Sequence, residues 1–282
     1  MTAKILRIIG IIFLCSICFF PLLRFVAPLL SNSSLTFFLF MSFLHSIFMI
    51  GVAWFVSKTS IKPQPFDRKN ESIGLFLFLS GVFFVIAFGM GAPPRDASVW
   101  IANRTHEVWR AIFLELAVFC SGLGLFFFSR LIKSNFSKTF GTVFLILAVI
   151  GIVLTVYDFY WGLFLLPNDI DTWAKEGKDL KQFFNHYDDM KNELRGTARC
   201  LIYLVSILTF FVGWKLKIIK TWVAVILSLL CIFFLQDVFI PLISDISQIN
   251  IHIGMVPAVA LSPLYLLGVY WIAEYMNKKS LT

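Results

Sequence analysis

Apolar residues along this chain fall into eight blocks, at about 5–23, 35–57, 72–92, 111–129, 140–166, 199–216, 219–243 and 257–276, separated by polar connections. A helix needs about 20 apolar residues to cross a hydrocarbon core about 30 Å thick, and the blocks have roughly that length. The pattern predicts eight transmembrane helices. The first block follows Lys4 and Arg7, as a secretory leader would. It is longer than the apolar region of a leader, and Pro21 and Arg24 follow it instead of a small-residue cleavage site, so it is read as a span.

One connection is long enough to fold. In residues 167–198, Trp173, Leu180, Phe183, Phe184, Tyr187, Met190 and Leu194 recur at threes and fours. This spacing predicts an amphipathic helix opening at Asp171 or Thr172, with a break at Gly196. Seven acidic and six basic residues make the polar part of residues 167–199 nearly neutral, whereas helices that lie on a membrane carry a basic face. The segment is therefore expected to pack as a lid on the mouth of the bundle, through Phe183, Phe184 and Tyr187.

Composition agrees with the pattern. Hydrophobic residues make up 59% and charged residues 14%, against about 25% charged in a soluble domain. A water-soluble fold could not cover 33 Phe. The expected class is all-α, a single polytopic membrane domain over residues 1–282.

The net charge of +8 reflects topology. With the N-terminus cytoplasmic, 14 Lys and Arg fall in or beside the inner connections and 4 in or beside the short outer ones. That asymmetry predicts both termini in the cytoplasm, the 167–198 loop outside, and a plasma or inner membrane location. Trp100, Trp109, Trp161 and Trp173 then lie near the outer boundary, and Trp54, Trp214 and Trp222 near the inner one. The basic side is expected to meet anionic lipids, while nucleic acid is excluded for want of a soluble surface.

Three carboxylates interrupt apolar blocks at similar depth in the outer half: Glu115, Asp158 and Asp237. A charge facing lipid near mid-membrane costs on the order of 2.5–3.5 kcal/mol. The acids are therefore expected to face the interior, near Arg110, Arg195, Arg199 or Arg24. His106, Glu107 and Arg110 share a helix face by their spacing. Together these residues predict a polar pocket open to the outside, lined also by Gln236, Tyr157, Tyr160 and His252. His45 sits near the middle of the second block between Ser42 and Ser46, and is expected to be a neutral, hydrogen-bonded side chain with a proton relay as its alternative role.

Other chemistry finds little support. Asp169 and Asp171 are two apart beside Pro167 and are read as helix caps, so no metal site is expected. Cys15 and Cys18 lie inside the first block, away from either surface, and no cofactor is expected. Gly89, Gly91, Gly122, Gly124 and Gly151 are read as small residues for close helix packing. No nucleotide-binding, nucleophile-elbow or zinc-hydrolase motif is present. The pattern suits a small-solute or lipid transporter, in which Pro241 and Pro263 break helices near the acids. Its alternatives are a membrane-embedded enzyme on a lipid or lipid-linked anionic substrate, and a non-catalytic subunit that binds a partner protein.

Overall fold

The computed structural model describes residues 71–89, 96–247 and 262–279 together with scattered helical positions between 37 and 51; side chains mainly at 187–193, 236–247 and 272–279 fall outside the description. The first apolar block, with Cys15 and Cys18, also lies outside it, as do Arg24 and His252.

Every regular element among the described residues is helical. The order is α1 (Glu71–Gly89), α2 (Ala97–Ala102), α3 (Arg104–Asn135) and α4 (Lys138–Tyr160), then a π-helical turn (Trp161–Leu165) and α5 (Leu166–Lys175). A short 3-10 turn (Leu180–Gln182), α6 (Phe183–Lys215), α7 (Thr221–Ser247) and α8 (Ser262–Lys279) complete it. Among the described residues, three stretches are long and apolar enough to cross a membrane: Arg104–Asn135, Lys138–Lys175 and Leu194–Lys215. Ser72–Ala87 and Thr221–Phe233 are shorter apolar stretches. At about 1.5 Å per residue, the 32 residues of α3 reach about 48 Å, so its charged ends project beyond a hydrocarbon core.

The turns between long helices are tight. Only Phe136 and Ser137 join α3 to α4; the Ser137 hydroxyl accepts the Phe140 N–H and caps α4. Between α6 and α7 the chain closes a Schellman motif. The Lys217 and Ile218 N–H groups donate to the Trp214 and Gly213 carbonyls, both at 2.9 Å, and Lys217 adopts φ 58. This left-handed position normally takes glycine, and a lysine there costs about 1–2 kcal/mol.

The long helices pack in a closed circuit: α1 on α3, α3 on α4, α4 on α6, α6 on α7, α7 on α8 and α8 back on α1. Between lipid-immersed helices the hydrophobic effect gives little drive, and close contact has to supply it. The α1–α8 seam illustrates this. A Cβ on Gly268 would lie 2.4 Å from the Phe78 backbone nitrogen, and one on Gly81 would fall inside the Tyr265 ring. Trp271 seats on Gly74 one register further along. On the next seam Gly124 admits Leu77, and Ser80 bonds Ser121 at 2.5 Å. Gly151 admits Leu201 and Ile202 between α4 and α6. Thr155, Ser206 and Thr209, all buried, return their hydroxyls to carbonyls one turn back, so no cross-helix partner is needed.

Three expectations change. Neither Gly196 nor Pro241 breaks a helix; each lies inside one, α6 and α7 respectively. Pro263 is the second residue of α8, where a missing N–H is harmless. The fifth apolar block does not end its helix at 166, because the π-turn carries the helical path on to Lys175.

Gly268→Ala forces α1 and α8 apart, since the atoms it meets are backbone. It is expected to lower the melting temperature in detergent by roughly 3–10 °C. Gly162→Ala, where a Cβ meets nothing within 4 Å, is the control and should melt like the parent. Equal melting of the two variants would contradict the seam.

Candidate functional site

The polar site is built at the end of the bundle away from the α3–α4 and α6–α7 turns, where α4 packs against both α3 and α6. On α4, Thr155, Asp158 and Phe159 are buried, while Tyr157 and Tyr160 are 52% and 45% exposed. Tyr157 and Tyr160 therefore point away from the expected pocket. The Asp158 side chain is 5% exposed, and Arg195 reaches it from α6. Arg195 Nε donates to Oδ1 at 3.0 Å and to Oδ2 at 3.1 Å. Arg199 stands one turn further along α6, partly buried.

A second pair lies on α3, where Arg110 Nη1 bonds Glu107 Oε2. Both side chains are 8% exposed, and both face inward with Phe113, Leu114 and Ala117. The i,i+3 spacing that the sequence displays is what makes this pair.

Glu115 is placed differently. Gly122 of α3 faces Ile152 of α4. Because these helices run antiparallel, six residues on Asp158 stands level with Leu116, beside Glu115. Yet Asp158 turns to α6, whereas Glu115 sits half-buried next to the exposed Leu116 and Phe119. It makes no hydrogen bond or ion pair with the described residues, so the structure brings Asp158 to an arginine but not to Glu115. Asp237 falls in α7, and its side chain, like those of Gln236 and Tyr187, is outside the described residues. The His45 ring is 6% exposed, and neither nitrogen has a hydrogen-bond partner among the described residues, which do not include the flanking Ser42 and Ser46.

Over this end lies an aromatic cap. Ala97 and Trp100 of α2, Trp161, Leu166 and Ile170 of the π-turn and α5, and Phe183 of α6 form one buried cluster separate from the main core. Trp173, Leu180 and Phe184 pack around it. Asp96 caps α2, and hydrogen bonds from the Ser98 hydroxyl and amide hold its carboxyl below the usual range. A π-turn adds about one residue to the winding and so rotates the downstream helix by about 100°. Here it aims Trp161 back at α5, and the indole N–H donates to Asp169 at 2.9 Å. Trp173 donates to the Asp179 carbonyl at 3.0 Å and meets Phe183 edge to face.

The 167–198 segment is thus divided between two helices, α5 and α6, and is not one amphipathic helix. Its break falls at Gly177 (φ 70), where only glycine turns easily, followed by Asp179 capping the 3-10 turn. Asp171 and Thr172 cap nothing: both lie inside α5, and Thr172 bonds back to the Asn168 carbonyl. Asp169 serves Trp161 instead of a helix end. Sequence reasoning put Trp100 at the outer boundary but not in the cap, and missed Ile170, because a six-residue helix and a single apolar turn carry no detectable period. The Trp161–Asp169 bond spans eight residues and depends on the π-turn, which leaves no sequence mark.

No family model, curated protein or solved structure matches this chain. The function therefore has to be argued from the geometry.

Phe183→Ala should loosen the cap while sparing the core. A cysteine replacing Ile170, itself 0% exposed, should resist a bulky thiol reagent in otherwise parental protein and react once Phe183→Ala is added, read against the native cysteines. Immediate reaction in the parental background would mean that the cap is not closed.

Proposed function

We propose that this chain is an eight-span membrane translocase for a small solute or a lipid, with both termini cytoplasmic. The polar layer at Asp158 and Arg195 is its coupling site, and the aromatic cap lies on the outer side. The observation that carries this reading is the buried Asp158–Arg195 pair between α4 and α6, directly beneath the cap. Desolvation offsets most of the Coulomb attraction in such a pair, so two apolar side chains would hold the helices together as well. What a charge pair adds is exchangeability. An anionic group can compete with Asp158 for Arg195 and so release α4 from α6. Basic residues at the opposite end, from Arg130 to Lys138 and from Lys215 to Lys220, support placing that end in the cytoplasm.

A second reading, an enzyme acting on a lipid-linked anionic substrate, draws on Arg195 and Arg199, one turn apart on the same face of α6. It requires an anionic lipid to copurify with the protein and to be chemically altered.

Two measurements test the proposal. A cysteine replacing the exposed Lys178 should react with an impermeant thiol reagent in intact cells; labelling only after lysis would reverse the orientation. In proteoliposomes, the parent protein should accelerate transbilayer movement of a fluorescent phospholipid or of protons. Asp158→Asn should reduce that movement at least about tenfold with an unchanged elution profile, as loss of a coupling group implies. A parent that moves neither probe, or a variant as active as the parent, removes the reading.

A further inference from the structure

At the end of the bundle opposite the cap, the α6–α7 turn carries a second concentration of charge. Lys215, Lys217 and Lys220 fall within six residues, and no acidic residue occurs in the sequence between Glu193 and Asp237. Neither Lys215 nor Lys217 is paired with a described carboxylate. The turn encloses a concavity lined by Trp214, Lys215, Lys217, Ile219 and Thr221. Its walls are ordered by side-chain contacts. The Trp214 indole N–H donates to Thr221 Oγ1 at 3.1 Å, and Lys215 Nζ lies over the Trp214 ring at 4.7 Å and the Phe211 ring at 5.7 Å. Lys220 Nζ lies over Tyr270 at 5.9 Å, tying the turn to α8.

We infer that this concavity binds the phosphodiester headgroup of an anionic glycerophospholipid from the adjoining leaflet. The inference rests on the membrane reading above but not on translocation. Lys217 is the informative residue. It occupies the left-handed position of the Schellman motif, which glycine would take without strain, so its side chain can be removed there without disturbing the turn. From there the exposed ammonium joins the rim with Lys215. The Thr221 hydroxyl accepts the indole proton and keeps its own O–H to donate. Thr221 also opens α7, whose N-terminal dipole adds to the attraction for an anion. Trp214, 38% exposed, offers the amphipathic surface that suits the level of headgroups and upper acyl carbons. A free phosphate would satisfy the lysines but leave the exposed faces of the Trp214–Phe211 ring pair uncovered; a lipid would cover them as well.

The test is native mass spectrometry of the full chain released from nanodiscs of phosphatidylglycerol mixed with phosphatidylcholine. Three variants are compared with the parent: Lys217→Gly, the double variant Lys215→Gln with Lys220→Gln, and the corresponding double arginine variant. Each lysine near an anionic surface contributes about fivefold, so Lys217→Gly should retain about fivefold less phosphatidylglycerol and the double glutamine variant, through Lys215, at least about fivefold less. Lys217→Gly should melt no lower than the parent, which separates lost binding from lost folding. The double arginine variant should retain lipid. Undiminished retention by both Lys217→Gly and the glutamine variant overturns the site, as does equal retention of the two lipids by the parent. Displacement by millimolar inorganic phosphate would make it a free-anion site and overturn the lipid assignment. A parent that fails to enter nanodiscs defeats the membrane reading instead, so the two failures are distinguishable.

Discussion

A carboxylate buried between apolar helices has to be neutralised where it stands, and in this bundle Arg195 does that for Asp158. The pair fixes more than charge. It sets the register of α6 on α4, the same register in which Gly151 admits Leu201 and Ile202. It also requires α6 to extend well before its apolar stretch, so that an arginine ahead of residue 199 reaches the level of Asp158. α6 runs 33 residues, and its first residue, Phe183, belongs to the cap. Removing one partner from a fully buried pair costs about 3–5 kcal/mol, and Arg195, 23% exposed, places this pair toward the lower end.

The two ends of the bundle are built on different physics. Beneath the cap, acid–arginine pairs sit in low dielectric, and the cap's Trp161 and Trp173 indoles donate to Asp169 and to the Asp179 carbonyl. At the other end, lysines stand in excess and rest on aromatic faces, where a cation keeps its water on one side. Between the ends, glycines and small hydroxyl residues bring the helices into contact. The middle of the bundle is therefore held by shape and the ends by charge, which is where a protein in a bilayer can exchange ions or lipid with its surroundings.

Much of this was legible in the sequence. Hydrophobic blocks located α1, α3, α4, α6, α7 and α8, because each is an apolar run flanked by charges. Spacing put Glu107 and Arg110 on one face, and depth grouped Asp158 with Glu115 and Asp237, but neither showed which of Arg110, Arg195, Arg199 or Arg24 would reach Asp158. Other features were not legible for identifiable reasons. The α1–α8 seam depends on Gly74, Gly81 and Gly268, and a glycine in an apolar run does not show which helix it faces. The cap's fold depends on a π-turn and a left-handed Gly177, both decided by contacts remote in sequence. Depth alone does not fix rotation about a helix axis, which is why Glu115 stands level with Asp158 yet faces elsewhere.

The claim that α4 and α6 are held by mutual neutralisation is tested most directly by exchanging the charges. Asp158→Arg alone puts two cations together beneath the cap, and Arg195→Asp alone puts two acids there. Each should lower the detergent melting temperature substantially and broaden the elution profile. The combined exchange should restore a single elution peak and bring the melting temperature to within a few degrees of the parent, since a coupled pair typically interacts by about 0.5–3 kcal/mol. If the exchanged protein melts no higher than the worse single variant, or if both single variants match the parent, the pair does not hold these helices together and the account built on it is wrong.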